Sequence, residues 1–227
     1  MTRKRRVAVG CLGALVVLVG ALLFSARGLL FPARWDVVPI TASPHYQAEP
    51  ELTRAFALPV AASYGRDIVF QPNGSVCGPT SLANVFRSLH AGPESVDGVL
   101  EGTGKCWTGM CLGGLTLDEL ADVARRHGTR KVTALRDLTL EAFREHLSKV
   151  NDPARRYVVN FDRGPLFGTS GGHHSPIAAY VAESDEVLVL DVNRKYGPWL
   201  VDASRLFAAM DTIDSSSGKK RGLLLIE

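Results

Sequence analysis

A thiol attacks a carbonyl only when its proton is easily lost and a base lies close by. In QPNGSVCGPTSLANVF, residues 71–86, Cys77 stands just ahead of an apolar helical run. Free N–H groups and the dipole at a helix N-terminus favour a thiolate there. Gly78 leaves space for a substrate carbonyl, and Gln71, six residues upstream, can offer an amide N–H to the carbonyl oxygen, as an oxyanion hole requires. The base must come from elsewhere. GGHHSPIAAY supplies His173 and His174 before one strand, and VLVLDV ends the next with Asp191. The turn at 183–186 makes these strands a hairpin, bringing His173 near Asp191, whose carboxylate can orient the imidazole. Gln–Cys…His…Asp is a papain-like chain order.

Each residue also has a plainer reading. A lone cysteine is more often a small buried hydrophobe than a nucleophile. Paired histidines occur on surfaces and bind transition metals. An aspartate after an apolar strand can simply cap a turn. The case rests on their joint occurrence.

The elements that must position these groups follow from periodicity. Leu82, Val85, Phe86 and Leu89 mark one face of a helix over 79–89, with Pro79 in its first turn and Gly92-Pro93 ending it. After the glycine-rich loop GTGKCWTGMCLGG, Thr116 and Glu119 form a capping box that opens a second helix, closed by Gly128. KVTAL reads as a strand, and Leu140, Phe143, Leu147 and Val150 mark a further helix. Strands then dominate, at 157–161, 177–181, 187–192, 199–201 and 223–226, with a short helix near 203–210. Helices first and antiparallel strands afterwards predict an α+β domain.

The composition, 46% hydrophobic and 22% charged, is globular, and the net charge of +3 owes much to the opening MTRKRR. Neither favours a nucleic-acid partner. VAVGCLGALVVLVGALLF, residues 7–24, is an uncharged apolar run behind that basic cluster. It predicts a signal anchor over 1–27 that spans the membrane once and sends the remainder outward, with Cys11 a membrane-embedded thiol. A cleaved signal peptide would lead to the same compartment. Residues 28–60, with prolines at 32, 39, 44, 50 and 59, read as a juxtamembrane connector, leaving 61–227 as the catalytic domain.

QPNGSVCGPTSLANVF together with VVNFDRGPLFGTSGGHHSPIAAYVAESDEVLVLDVNRKYGPWLV resembles phytochelatin synthases, especially short bacterial forms consisting of the catalytic domain alone. The resemblance covers roughly residues 60–210 and rests on the Gln-to-Cys interval, the Gly-His-x-Ser-Pro box and the spacing from its histidine to the aspartate of LDVxR. It implies a papain-like fold with Cys77 as nucleophile, His173 as base and acid, Asp191 as its orienter and Gln71 as oxyanion donor, and it leaves His174 at the box's variable position. It implies glutathione as substrate: glycine leaves, a γ-glutamylcysteinyl enzyme forms, and water or a second glutathione takes the acyl group. Arg194 of LDVxR and Arg163 of NFDR are then candidate forks for the substrate's carboxylates, with Gly172 of the box lining the same site. Acyl transfer of this kind requires no cofactor, and ions such as Cd²⁺ or Zn²⁺ would enter as thiolate complexes of the substrate.

The cysteine-rich C-terminal region of plant forms has no counterpart before Glu227, and the stretch after Arg194 is short, so Tyr196 has no assigned role and hydrolysis is favoured over chain extension. Cys106 and Cys111 can pair as a disulfide in an oxidising compartment or, less readily, hold a soft metal. The expected location is a bacterial inner membrane with the domain facing the periplasm. Two other functions compete: a general cysteine peptidase of the bacteriocin-processing type, and a non-catalytic metal- or thiol-binding protein using Cys106, Cys111 and the histidine pair.

Overall fold

The structure is a computed structural model that describes residues 16–21, 34–107 and 109–227. Residues 16–21 form an exposed helical stretch; the rest of the expected anchor, with Cys11, lies outside the described residues. Among the described residues no helix is long and apolar enough to cross a membrane.

Residues 34–60 correct the sequence reading. They are not a connector: helices α1 (Glu49–Phe56) and α2 (Pro59–Tyr64) bury Leu52, Ala55, Phe56, Val60 and Tyr64 in the core, and Ile40 is buried as well. Pro50 and Pro59 stand in the first turns of these helices, where the missing N–H is an orphan anyway. Two helix starts had the look of breakers.

Helix α3 runs Cys77–Leu89, so the cysteine is its first residue, and His90 ends it in the left-handed region at φ 49°. Helix α4 (Val96–Leu100) leads to the glycine-rich loop, and α5 (Leu117–Arg126) carries the expected Thr116–Glu119 capping box, both of whose bonds are formed. Strand β1 (Val132–Leu135) and helix α6 (Leu140–Leu147) follow. Next come β2 (Arg156–Asp162), the one-turn α7 (Gly164–Phe167), β3 (Gly172–Val181), β4 (Glu186–Leu190) and β5 (Pro198–Asp202). Helix α8 (Ala203–Met210) and β6 (Gly222–Ile226) complete the chain.

Among the described residues six strands form one antiparallel sheet in the order β1-β6-β2-β3-β4-β5. Alternation divides its side chains between two cores. Val158, Ala178, Leu188 and Leu224 pack with α1, α2, α3 and α5; Tyr157, Val159, Val189 and Leu225 pack with α6 and α8. Strand β3 begins five residues before the predicted start, so both histidines lie within it. The sheet leaves no room at Gly222, where an added Cβ would collide with the backbone oxygen of Leu135. Gly222→Ala is expected to push β1 from β6 and cost about 2 kcal/mol or more, read as a lowered melting temperature.

Candidate active site

Cys77 is the free cysteine among the described residues; it is buried, yet lines a cleft of about 360 Å³. The opposing wall is β3. Ser81, one turn into α3, ties helix to strand: its Oγ lies 2.8 Å from the Cys77 carbonyl oxygen and 3.0 Å from that of His174. Gly78 serves packing, contrary to the expected opening for a carbonyl. A Cβ there would come within 3.0 Å of Leu120 Cδ1, so the missing side chain lets α5 approach.

The two histidines have different neighbours because strand pairing sets His173 opposite Phe161 and His174 opposite Asn160. His173 Nε2 lies 2.9 Å from Asp191 Oδ1, an ion-pair contact in which the N–H is not yet aligned as a hydrogen bond. His174 Nδ1 is 3.9 Å from Cys77 Sγ, within hydrogen-bond reach for sulfur. Burial pushes the Cys77 thiol up, but the charge of His173 and hydrogen bonding from both imidazoles outweigh it and hold the thiol well below its ordinary value. Burial and the Arg163 charge pull His173 down; the sulfur and Asp191 prevail and raise it. The pair is thereby disposed toward thiolate and imidazolium.

The direction gives a sign. Thiolate reactivity is present above the folded-state value and lost as pH falls through it. Iodoacetamide is expected to alkylate Cys77 at pH values well below the ordinary thiol value of 9.0. A rate profile centred near the ordinary value would contradict the geometry.

Asp191 is fully buried and encircled by donors. Arg163 Nη2 lies 2.9 Å from Oδ1 and 2.8 Å from Oδ2, the Asn193 N–H reaches Oδ1 at 2.9 Å, and Trp199 Nε1 reaches Oδ2 at 3.2 Å. Burial raises its carboxyl, and His173, Arg163 and the Asn193 N–H more than reverse that, leaving it below the usual range. Gln71 is joined to this segment: its N–H donates to the Val192 carbonyl oxygen at 2.8 Å, and its side-chain Oε1 is buried without a partner.

The two arginines read as substrate forks stand elsewhere. Arg163 is buried among Phe161, Phe167 and Tyr196, its guanidinium 3.8 Å over the Tyr196 ring, and is spent on Asp191. Arg194 is exposed and stacks 4.4 Å over Phe70. Neither lines the cleft, whereas Gly172 does. The cation in the cleft is Arg221, which sequence reasoning missed; it is buried, donates from Nη1 to Asn160 Oδ1 at 2.9 Å, and lies 3.8 Å from both Asp162 and Asp214. A Cβ at Gly172 would come within 2.7 Å of its Nη1, so the glycine makes room for this guanidinium. Cys106 and Cys111 are joined as a disulfide in the loop beside the cleft, and Cys111 N–H donates to Ser75 Oγ at 3.1 Å.

A helix-borne cysteine facing a strand-borne histidine and its aspartate across an antiparallel sheet is the papain-like α+β arrangement. The structure of a putative C39-like peptidase from Bacillus anthracis shares it, with a TM-score of 0.52 at 12% identity over 72% of this chain and 96% of that one, a likeness of fold. The chain belongs to the phytochelatin synthase family, whose model matches residues 55–223. Glutathione gamma-glutamylcysteinyltransferase 1 of Arabidopsis thaliana is 38% identical over 178 residues, 69% of this chain and 34% of that protein. Glutathione gamma-glutamylcysteinyltransferase 3 of Lotus japonicus is 40% identical over 117 residues, 50% of this chain and 24% of that protein. The chain thus spans about a quarter to a third of these curated relatives.

Proposed function

We propose that the chain is a glutathione γ-glutamylcysteinyltransferase that proceeds through an acyl-enzyme on Cys77. The observation that carries this reading is a thiol held low by two imidazoles in a cleft that also presents a guanidinium and a carboxylate, Arg221 and Asp214. The γ-glutamyl end of glutathione is a zwitterion, and those two groups complement its carboxylate and its ammonium. With that end held, the Cys77 thiolate attacks the Cys–Gly carbonyl carbon. A sulfur–carbon bond forms, the carbon–nitrogen bond breaks, and the imidazolium of His173 gives its proton to the departing glycine amine. Water, or the amine of a second glutathione, then attacks the thioester and surrenders a proton to His173. The sulfur–carbon bond breaks, and the Cys77 thiolate is restored as γ-glutamylcysteine or the extended peptide leaves. Asp191 holds that ring, and Gln71, turning its amide toward the carbonyl oxygen, supplies oxyanion stabilisation. Cd²⁺ or Zn²⁺ enters as a thiolate complex of the substrate.

The names of the relatives support the substrate. The basic cluster and apolar run before residue 25 support attachment to a bacterial inner membrane, with the domain on the periplasmic side, where the Cys106–Cys111 bond would be at home. The test is glycine release, assayed with glutathione and with unrelated peptides of similar length. Release from glutathione alone is expected; equal turnover of all the peptides would make the chain a general peptidase.

A further inference from the structure

The Asn160 side chain sits between the two groups that define the cleft floor. Its Oδ1 is 2.9 Å from Arg221 Nη1, and its Nδ2 is 2.5 Å from His174 Nε2. A guanidinium can only donate, so the amide oxygen must face Arg221 and the NH₂ must face the imidazole. An NH₂ also only donates. His174 Nε2 is therefore the acceptor nitrogen of a neutral ring, and the ring proton resides on Nδ1, 3.9 Å from the sulfur of Cys77. His173 has the opposite arrangement: its Nε2 faces the Asp191 carboxylate, an acceptor, which leaves Nδ1 free to take or give the thiol proton.

We propose that His174 is a second catalytic imidazole, a fixed Nδ1–H donor to the Cys77 thiolate whose tautomer is imposed by Asn160 and Arg221, while His173 alone carries the proton. The inference rests on Cys77 as the nucleophile and assigns a task to a position that sequence reasoning left open. No proton crosses to His174: with its N–H aimed at sulfur it cannot act as base, and accepting a proton on Nε2 would set it against the Asn160 NH₂. Its work is to stabilise negative charge on sulfur before attack and again when the thioester collapses. Ser81 fixes the backbone of the donor relative to the helix that carries the sulfur. The charged groups around the ring are His173 with Asp191 on one side and Arg221 with Asp162 and Asp214 on the other.

Nitrogen NMR of the full-length protein labelled in histidine reads the tautomer directly; Nδ1–H at His174 is expected. His174→Phe is expected to slow iodoacetamide alkylation of Cys77 about 10- to 100-fold at pH values on the acid limb of its rate profile, the worth of a hydrogen bond to a charged group. The acid limb of its rate profile should move up by about one to two pH units. His174→Gln, whose amide can donate, is expected to restore part of both. Asn160→Asp places an acceptor against Nε2 and should switch the ring to Nε2–H, reproducing the His174→Phe profile. An Nε2–H tautomer in the unaltered protein, or a folded His174→Phe protein with an unchanged profile, overturns the proposal. Should His174→Phe fail to fold, the tautomer of the unaltered protein decides. Neither readout uses glutathione, so failure here is distinct from failure of the proposed reaction.

Discussion

Replacing Cys77 by serine is expected to abolish glycine release from glutathione, the rate falling by about 10⁴-fold or more. The serine hydroxyl fits the space, but it is far less acidic than a thiol, and a single imidazole in this geometry would have to remove its proton during attack. Burial, which the two imidazoles overcome for sulfur, opposes an alkoxide still more strongly. The fold should be unaffected, because Cys77 is in no disulfide, the hydroxyl replaces sulfur in nearly the same space, and the Ser81 bridge uses the Cys77 carbonyl oxygen. Unchanged melting temperature with lost glycine release is the expected pair of results. Glycine release at the original rate would place the chemistry elsewhere.

Asp191→Asn is expected to cost both rate and stability. Every neighbour of the carboxylate is a donor: His173, Arg163, the Asn193 N–H and Trp199 Nε1. An amide has one oxygen to offer in place of two, so its NH₂ must face at least one of them. His173 loses its orienting charge, and a fall of about 10³- to 10⁴-fold in turnover is expected. Arg163 becomes a buried guanidinium with no counter-charge, at a cost of about 3–5 kcal/mol, seen as a melting point lowered by about 6–20 °C. The double variant Asp191→Asn with Arg163→Met separates the two effects. Removing the stranded cation should recover most of the stability and none of the rate. The pH dependence has a definite sign. A carboxyl whose folded value is depressed contributes stability above the ordinary aspartate value, lost as pH falls through the folded one. The unaltered protein should therefore lose this contribution in acid below that ordinary value, and Asp191→Asn should show no such loss.

The positions of the residues proposed from the sequence for the site were legible because each has a local cause. Cys77 opens a helix with an apolar stripe, and Asp191 follows a strand joined by a four-residue turn to the one bearing His173. The capping box at Thr116 was equally plain. Arg221 was not, since GKKRG before an apolar strand looks like a solvated basic turn, and only the strand order β6-β2-β3 carries it under the cleft. Asn160 did leave a signal: an amide inside the apolar run YVVNF must find partners if buried, and it has two. Arg163 was read as a fork for a substrate carboxylate, because nothing in FDRGP shows that three aromatic rings and Asp191 enclose it. No periodicity could choose between His173 and His174. Both are buried within β3, and their surroundings differ through what lies across the strand from each.

Intact-mass spectrometry of the protein quenched in acid during reaction with glutathione tests the central claim most directly. One covalent adduct of γ-glutamylcysteinyl mass, stable to a phosphine reductant, mapped to Cys77 and absent from Cys77→Ser, is the expected result. An adduct of whole glutathione that a reductant removes, with no acyl species at any time, would contradict it.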